Sequence, residues 1–414
     1  MSKRVVITGM GTVNPVGNSV QEYWDGLVQG KSGIDTLTHF TDNKIPSQIA
    51  GEVRGVDFSA YVDSKEVKKT DRFILLAMAA ADEALKDSGI YNNSSVDYDT
   101  IGTVIGSGIG GISTLETNHV KLLNKGPRRV SPFLIPMMIA DMASGFVSMK
   151  YGLRGPNYCV VSACASGSHS IGDAMMALKS GMMDVCVAGG AEAAISPLSY
   201  SGFCSMKALS TRNDEPAKAS SPFDRKRDGF VMGEGSGVLV LETLEHAKKR
   251  GAKIYAELTG YGATGDAHHL SSPSPDGEGA VRSMRMALKS AGRAPEDIEY
   301  INAHGTSTPM NDKNETQAIK TTFPQTAHSL SISSTKSMTG HLLGASGAIE
   351  LIAAVKAVNT NIIPPTINYE DPDDGLDLDY TPNTARKRRI SSAMSNSFGF
   401  GGHNASLIVE EYTA

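Results

Sequence analysis

Cysteine and histidine are the side chains best suited to nucleophilic and proton-transfer chemistry near neutral pH. Three of them stand among small residues here: Cys164 in Val-Ser-Ala-Cys-Ala-Ser-Gly-Ser-His-Ser (161–170), His304 in Asn-Ala-His-Gly-Thr-Ser-Thr (302–308) and His341 in Lys-Ser-Met-Thr-Gly-His (336–341). If a strand over 158–161 feeds a helix from about Ser166 to Lys179, Cys164 sits at the helix N-terminus, where unpaired N–H groups and the dipole favour a thiolate. The flanking Ala163, Ala165, Ser166 and Gly167 would leave the backbone open to a substrate, and the Cys164 N–H could donate to an oxyanion. The competing reading is a buried cysteine in tight helix–strand packing. Each histidine alone is more readily a hydrogen-bonded turn residue, but two such loops beside a candidate thiolate favour a site. His169, though in the same stretch as Cys164, is expected to have no catalytic role.

A fourth stretch, 395–404, reads Ser-Asn-Ser-Phe-Gly-Phe-Gly-Gly-His-Asn before a last strand over 405–410. It is either a tight hairpin or a mobile aromatic gate with free backbone N–H groups.

The elements that must position these residues are short β-branched runs, such as 4–7 and 185–187, alternating with helix-like segments such as Phe73–Leu85. That alternation predicts a layered α/β protein. A turn at 251–253, followed by a strand over 254–258, marks a boundary between halves. Strands are expected near 298–301 and 330–333, and a helix over about 342–358; no short repeat is visible.

At 414 residues, 40% hydrophobic and 20% charged, the chain can bury a core larger than that of one simple domain. A net charge of -5 gives no global attraction to nucleic acid or anionic membranes. The start, Met1-Ser2-Lys3-Arg4 and onward, lacks the apolar region of a signal peptide, and no run approaches ~20 apolar residues; a soluble, cytoplasmic protein is expected. The four cysteines, Cys159, Cys164, Cys186 and Cys204, form no C-x-x-C pair and fit reduced thiols.

Gly106–Gly111 and Gly260–Gly265 both match G-x-G-x-x-G, and Gly9-Met10-Gly11 follows the first strand. None has the context of a dinucleotide site: the second runs into Ser272-Pro273-Ser274-Pro275 instead of a helix, the first lacks the later acidic residue, and Pro15 interrupts the third. Tight turns between layers are the simpler expectation.

"VSACASGSHS", "NAHGTSTPMNDKNE", "STKSMTGHLLGASGAIE" and "NSFGFGGHN" occur in this order and, with "RVVITGMGTVNPVG", "GSGIGG", "PFDRKRDGFVMGEG" and "PPTIN" between and before them, span nearly the whole chain. Together they resemble the elongating β-ketoacyl-acyl-carrier-protein synthases of the synthase II type. The resemblance implies a thiolase-like α/β fold of five αβαβα layers in two similar halves, 1–252 with the nucleophilic cysteine and 253–414 with both histidines and the phenylalanine gate. It implies a homodimer, acyl-carrier protein as partner, no nucleic acid or membrane partner, no metal, and no cofactor beyond the 4'-phosphopantetheine on the substrates.

By the same resemblance Cys164 takes the acyl group as a thioester. His304 and His341 assist decarboxylation of the malonyl thioester, Lys336 sits beside them with Glu350 as its acidic partner, and Phe400 is both gate and, through its N–H, oxyanion donor with Cys164. Phe398 is a second gate candidate. Thr306, Thr308, Ser271 and Ser272 would hold the pantetheine arm, and Ile109 and Phe203 would line the acyl pocket. Lys65, Lys68, Lys69, Arg128, Arg129 and Lys207 would face an acidic carrier protein, or be ordinary solvated surface. His403 departs from the threonine that many relatives have. Three alternatives stay open: a polyketide ketosynthase; a zinc protein using Cys164, His304 and His341; and, for Lys336 and Glu350, an ordinary ion pair.

Overall fold

A computed structural model describes residues 3–413; residues 1, 2 and 414, the outer ends of the two expected halves and part of the N-terminal stretch, lie outside the described residues. Ten strands carry the architecture: β1 Val5–Val13, β2 Ile101–Gly106, β3 Asn157–Tyr158, β4 Val185–Glu192, β5 Gly235–Thr243, β6 Ala256–Gly265, β7 Tyr300–Asn302, β8 Ser331–Ser333, β9 Ser392–Gly399 and β10 His403–Glu410. Seven helices matter for the site: α1 Arg72–Asp87, α2 Ile112–Lys125, α3 Met142–Tyr151, α4 Ser166–Ser180, α5 Glu278–Ala291, α6 Pro309–Thr322 and α7 Ser346–Thr360.

The strands run in the order β8-β7-β9-β10-β6-β1-β5-β4-β2-β3. Only two residue pairs, Val6 with Glu257 and Ile7 with Ala256, join the two five-stranded parts. Each part has the same plan. In the first, β1, β5 and β4 pair antiparallel and β4, β2 and β3 parallel. In the second, β6, β10 and β9 pair antiparallel and β9, β7 and β8 parallel.

Helices α4 and α7 pack on each other and on strands of both sheets, while α1 and α3 cover the first sheet and α5 the second, with α6 packed beside α5. These are the five layers of the thiolase-like arrangement. The central place of α7 follows from its composition: Ala348, Leu351, Ile352, Ala353, Ala354 and Val355 are all fully buried, as befits a helix apolar on every side. Its approach to α4 depends on Gly347, where a Cβ would lie 2.0 Å from Ser168 Oγ and 2.7 Å from Ser397 Oγ.

Several expectations are corrected. The strand expected over 158–161 is only Asn157–Tyr158, because the chain then leaves the sheet edge; Val160 and Val161 have strand propensity but no partner strand. The strand expected from Ile254 starts at Ala256 and runs on to Gly265. Two of the three glycine motifs are not turns. Gly9 and Gly11 lie inside β1, where a Cβ would meet the carbonyls of Ala84 and Ala80 on α1, and Gly260–Gly265 is strand throughout. The repeat missing from the sequence is present in three dimensions: a 3-10 turn at Ala163–Ala165 leads into α4, and another at Leu343–Ala345 leads into α7.

Candidate active site

The turn that carries Cys164 is strained and self-supporting. Ala163 holds φ 50°, a left-handed conformation costing a non-glycine residue about 1–3 kcal/mol unless its surroundings fix it. Ser166 supplies that fixing: its hydroxyl accepts the Ser162 N–H at 2.9 Å and donates to the Ala163 carbonyl at 2.7 Å. Cys164 is 8% exposed, and its own N–H and that of Phe400 lie close enough to its sulfur to favour the charged form. Burial pushes the thiol up to about 12, opposed by the Lys336 cation and reinforced by Glu192. The resting residue is therefore a thiol: burial outweighs the helix terminus that was expected to favour a thiolate. The small residues after it also serve differently from expectation. Ala163 lines the cavity, but Ala165, Ser166 and Gly167 are buried, and a Cβ on Gly167 would lie 2.8 Å from the Gly344 carbonyl of the other half.

His304 leaves the end of β7 and His341 the turn after the short helix Lys336–Thr339. Their rings meet edge to face with centroids 5.3 Å apart, and Phe398 flanks His304 at 5.7 Å. His341 Nδ1 bonds Ser346 Oγ at 2.9 Å, whereas His304 Nδ1 has no partner. Burial first, then the Lys336 cation, hold both imidazoles well below the ordinary histidine range, and His341 adds to the effect on His304. Both are neutral at physiological pH. Lys336 Nζ pairs with Glu350 Oε1, both side chains 1% exposed. Burial raises the Glu350 carboxyl while Lys336 opposes it.

Strands β9 and β10 form a hairpin closing with Gly399 opposite His403, which is compatible with Phe400 acting as a gate at its tip. Gly401 and Gly402 turn it with φ 82° and 72°, values that glycine adopts without steric cost. The turn carries Phe400 over Cys164, and a Cβ on Gly399 would lie 3.0 Å from the Cys164 nitrogen. One cavity of about 570 Å³ is lined by Cys164, His304, His341, Phe398, Phe400, Ile109, Phe203, Thr306, Thr308, Ser271, Ser272 and Lys207. Thr306 and Thr308 share a hydrogen bond of 2.9 Å. Lys336 and Glu350 lie behind this wall and are not part of the lining.

Among the expected carrier-facing residues, Lys65, Lys68, Lys69, Arg128, Arg129 and Lys207 are all exposed. Lys68 and Lys69 border a second groove with Lys121 and Phe133, and Lys69 also pairs with Glu66. Among the described residues no three His, Cys, Asp or Glu side chains are placed to hold one metal ion, which leaves the zinc alternative without a ligand set. No helix among the described residues is long and apolar enough to cross a membrane.

Two buried carboxylates that sequence reasoning missed organise the site. Glu192, ending β4, accepts N–H bonds from Gly108 at 2.8 Å, Gly344 at 3.0 Å and Ile109 at 3.2 Å. This explains why the Gly106–Gly111 loop is not a phosphate cradle: its own protein's carboxylate fills it. Glu315 accepts the N–H groups of His304 at 2.8 Å and Gly305 at 2.7 Å, and burial pushes it up to about 7. Its only sequence signal was its place eleven residues after His304 on a helix that returns toward that loop.

Residues 2–247 match the family described as "Beta-ketoacyl synthase, N-terminal domain" and residues 255–370 its C-terminal domain. A 3-oxoacyl-[acyl-carrier-protein] synthase 2 from Synechocystis sp. is 52% identical over 410 residues, covering 99% of this chain and 98% of that protein. A beta-ketoacyl synthase from Burkholderia phymatum superposes with a TM-score of 0.92 at 36% identity, over 99% of this chain and 100% of that one. A type II polyketide ketosynthase, solved with its acyl-carrier protein and bound to the hexaketide, superposes with a TM-score of 0.92 at 34% identity, over the whole of both chains.

Proposed function

The chain belongs to the beta-ketoacyl synthase family, and from that premise we infer how its own residues divide the chemistry. The reaction is a decarboxylating Claisen condensation that elongates a fatty acyl chain: acyl-carrier protein and malonyl-carrier protein give 3-oxoacyl-carrier protein, CO2 and free carrier protein, with uptake of one proton. In the first half, Cys164 Sγ attacks the acyl thioester. A carbon–sulfur bond forms to Cys164, the bond to the carrier's thiol breaks, and the thiol proton of Cys164 ends on the departing carrier sulfur. The N–H groups of Cys164 and Phe400 face the oxygen that gains charge in this step.

In the second half, malonyl thioester loses CO2 and the electron pair moves into an enolate. Neutral His304 and His341 donate hydrogen bonds to its oxygen, which suits a cavity where both are held unprotonated. The enolate carbon attacks the acyl-Cys164 carbonyl, the thiolate leaves, and one proton restores the thiol. Thr306 and Thr308, joined by their own hydrogen bond, hold the pantetheine arm together with Ser271 and Ser272, which line the same cavity. Ile109 and Phe203 wall the acyl end, where each methylene withdrawn from water contributes about 0.8 kcal/mol. This chemistry requires no resident cofactor, since the pantetheine arrives on the substrate.

The exposed basic residues receive acidic carrier protein, and a second copy of the chain covers exposed apolar side chains such as Leu123, Ile135 and Val161. Sedimentation analysis tests the dimer. The fatty-acid reading is favoured over the polyketide one by 52% identity to a fatty-acid-type synthase against 34% to the polyketide ketosynthase. The observation that supports the division of roles best is the single cavity presenting the Cys164 sulfur, two backbone N–H groups and two neutral imidazoles together. Purified protein given acyl- and malonyl-carrier proteins should release CO2 and form 3-oxoacyl product, and Cys164→Ala should abolish product. Absence of product from the wild type, or equal condensation by the variant, refutes the reading.

A further inference from the structure

His169 has no part in the chemistry above, yet it is buried beside the nucleophile turn at 9% exposure. Its Nδ1 bonds Ser162 Oγ at 2.6 Å, two residues before Cys164. The ring also faces the backbone of Asn404, which favours its protonated form; Asn404 is the second residue of β10, just past the turn that carries Phe400. Its orientation is locked from two sides: the Tyr261 ring stands edge-on at 6.3 Å and the His403 ring at 6.5 Å, perpendicular. Tyr261 is itself fixed by Asp173 at 3.2 Å. His403 folds back so that its Nε2 would lie 2.8 Å from any Cβ placed on Gly401.

The two segments that His169 touches each supply one oxyanion donor, the Cys164 N–H from the nucleophile turn and the Phe400 N–H from the gate hairpin. These donors are far apart in sequence and no covalent link fixes their spacing. The geometry points to His169 as a positioning residue: through Ser162 and the Asn404 backbone it ties the gate hairpin to the nucleophile turn and so sets the separation of the two oxyanion donors. The inference rests on the condensing-enzyme reading above. Misplacing a reacting group by ~1 Å costs roughly 100-fold in rate, and losing one oxyanion donor roughly 100- to 1000-fold.

His169→Phe keeps a ring of similar size and removes both polar contacts; Ser162→Ala cuts one end, and Ser162→Thr keeps the hydroxyl. The expected results are a roughly 10- to 100-fold slower acylation of Cys164 in His169→Phe, read by quenched-flow mass spectrometry, with the half-saturating acyl-carrier concentration unchanged. Ser162→Ala should be slowed in the same sense, Ser162→Thr should recover to within about three-fold of wild type, and the double variant Ser162→Ala/His169→Phe should be no slower than the worse single variant, because both act through one bond. Acylation within about three-fold of wild type in His169→Phe, losses that multiply in the double variant, or a loss confined to half-saturation would each overturn the inference. A second measurement does not depend on turnover: amide exchange over 399–404 should be at least about five-fold faster in His169→Phe, reporting local opening of the hairpin. Unchanged exchange there overturns the coupling even if the wild type were to prove inactive, an outcome that by itself would count only against the enzymatic reading.

Discussion

Replacing Lys336 by Met separates an ion pair that merely stabilises from one that also tunes the site. The pair is wholly enclosed, with both side chains 1% exposed, and Glu350 Oε2 already lacks a partner. Truncating the cation leaves the Glu350 carboxyl with neither oxygen paired to a protein donor. Breaking a buried pair from one side in this way costs about 3–5 kcal/mol. With an unfolding entropy of roughly 2.1 cal/mol/K per residue over 414 residues, that cost is a fall in Tm of about 3–6 °C by scanning calorimetry. The double variant Lys336→Met/Glu350→Leu, which removes both charges, should recover most of the loss, since an apolar replacement of a buried pair is commonly neutral or better. The Lys336 cation is also the second cause, after burial, of the depressed His304 and His341. Without it both imidazoles protonate at higher pH, so the acid limb of the condensation profile moves upward in the single variant and stays moved in the double variant. A single variant within about 1 kcal/mol of wild type would refute the burial argument. An acid limb that returns to its wild-type position in the stable double variant would refute the electrostatic one and leave an ordinary ion pair.

Three further outcomes follow from the same geometry. Because His304 and His341 are depressed in the folded protein, the unfolded chain binds more protons below its histidine pKa of about 6.5; the stability they contribute is complete above that pH and lost as pH falls below it, so His304→Gln/His341→Gln should flatten the decline of Tm between about pH 6.5 and 5. Gly347→Ala should destabilise by about 1–3 kcal/mol through overpacking, because its Cβ would meet Ser168 Oγ and Ser397 Oγ across the central layer; an unchanged Tm would show that the layer can yield. Raising ionic strength from about 0.1 M to 1 M shrinks the Debye length from about 10 Å to about 3 Å. Half-saturation by acyl-carrier protein should then rise steeply in wild type and less in a variant with Lys65, Lys68 and Lys69 changed to Gln, and parallel salt curves would remove those lysines from the docking surface.

What the sequence disclosed is explained by how local each signal is. The helix after Cys164 was readable within one residue at its end, because small helix-forming residues run from Ser166 to a left-handed Gly181 that stops it. The histidine loops were readable as turns after strands, and the lysine beside them as a cation able to depress an imidazole. The state of the cysteine was not, because burial comes from residues distant in the chain and outweighs the local helix terminus. Glu192 and Glu315 were unreadable for the same reason: an acidic residue at a strand end or on a helix has many solvated uses, and only the fold turns these two inward onto backbone N–H groups. The glycine motifs misled in the opposite direction, since a glycine needed for strand–helix contact, as at Gly9 and Gly11, looks the same in sequence as one needed for a turn.

The duplication shows why only one of two matching turns carries a side chain toward the cavity. Helices α4 and α7 have the same length, each follows a 3-10 turn, and each ends in a left-handed cap, at Gly181 and Asn361. Ala163 and Leu343 hold nearly the same φ, 50° and 47°, and Ala-Ser-Gly recurs at 165–167 and 345–347. In that correspondence Cys164 falls on Gly344. A side chain at Gly344 is excluded, because its Cβ would lie 2.4 Å from the Gly108 nitrogen and 2.8 Å from Glu192 Oε2. The second turn thus gives its N–H to Glu192, which in turn holds the Gly108 and Ile109 loop against the cavity. The same turn geometry therefore serves two purposes: in the first half it presents a sulfur, and in the second it gives up its side chain so that the wall around that sulfur can close.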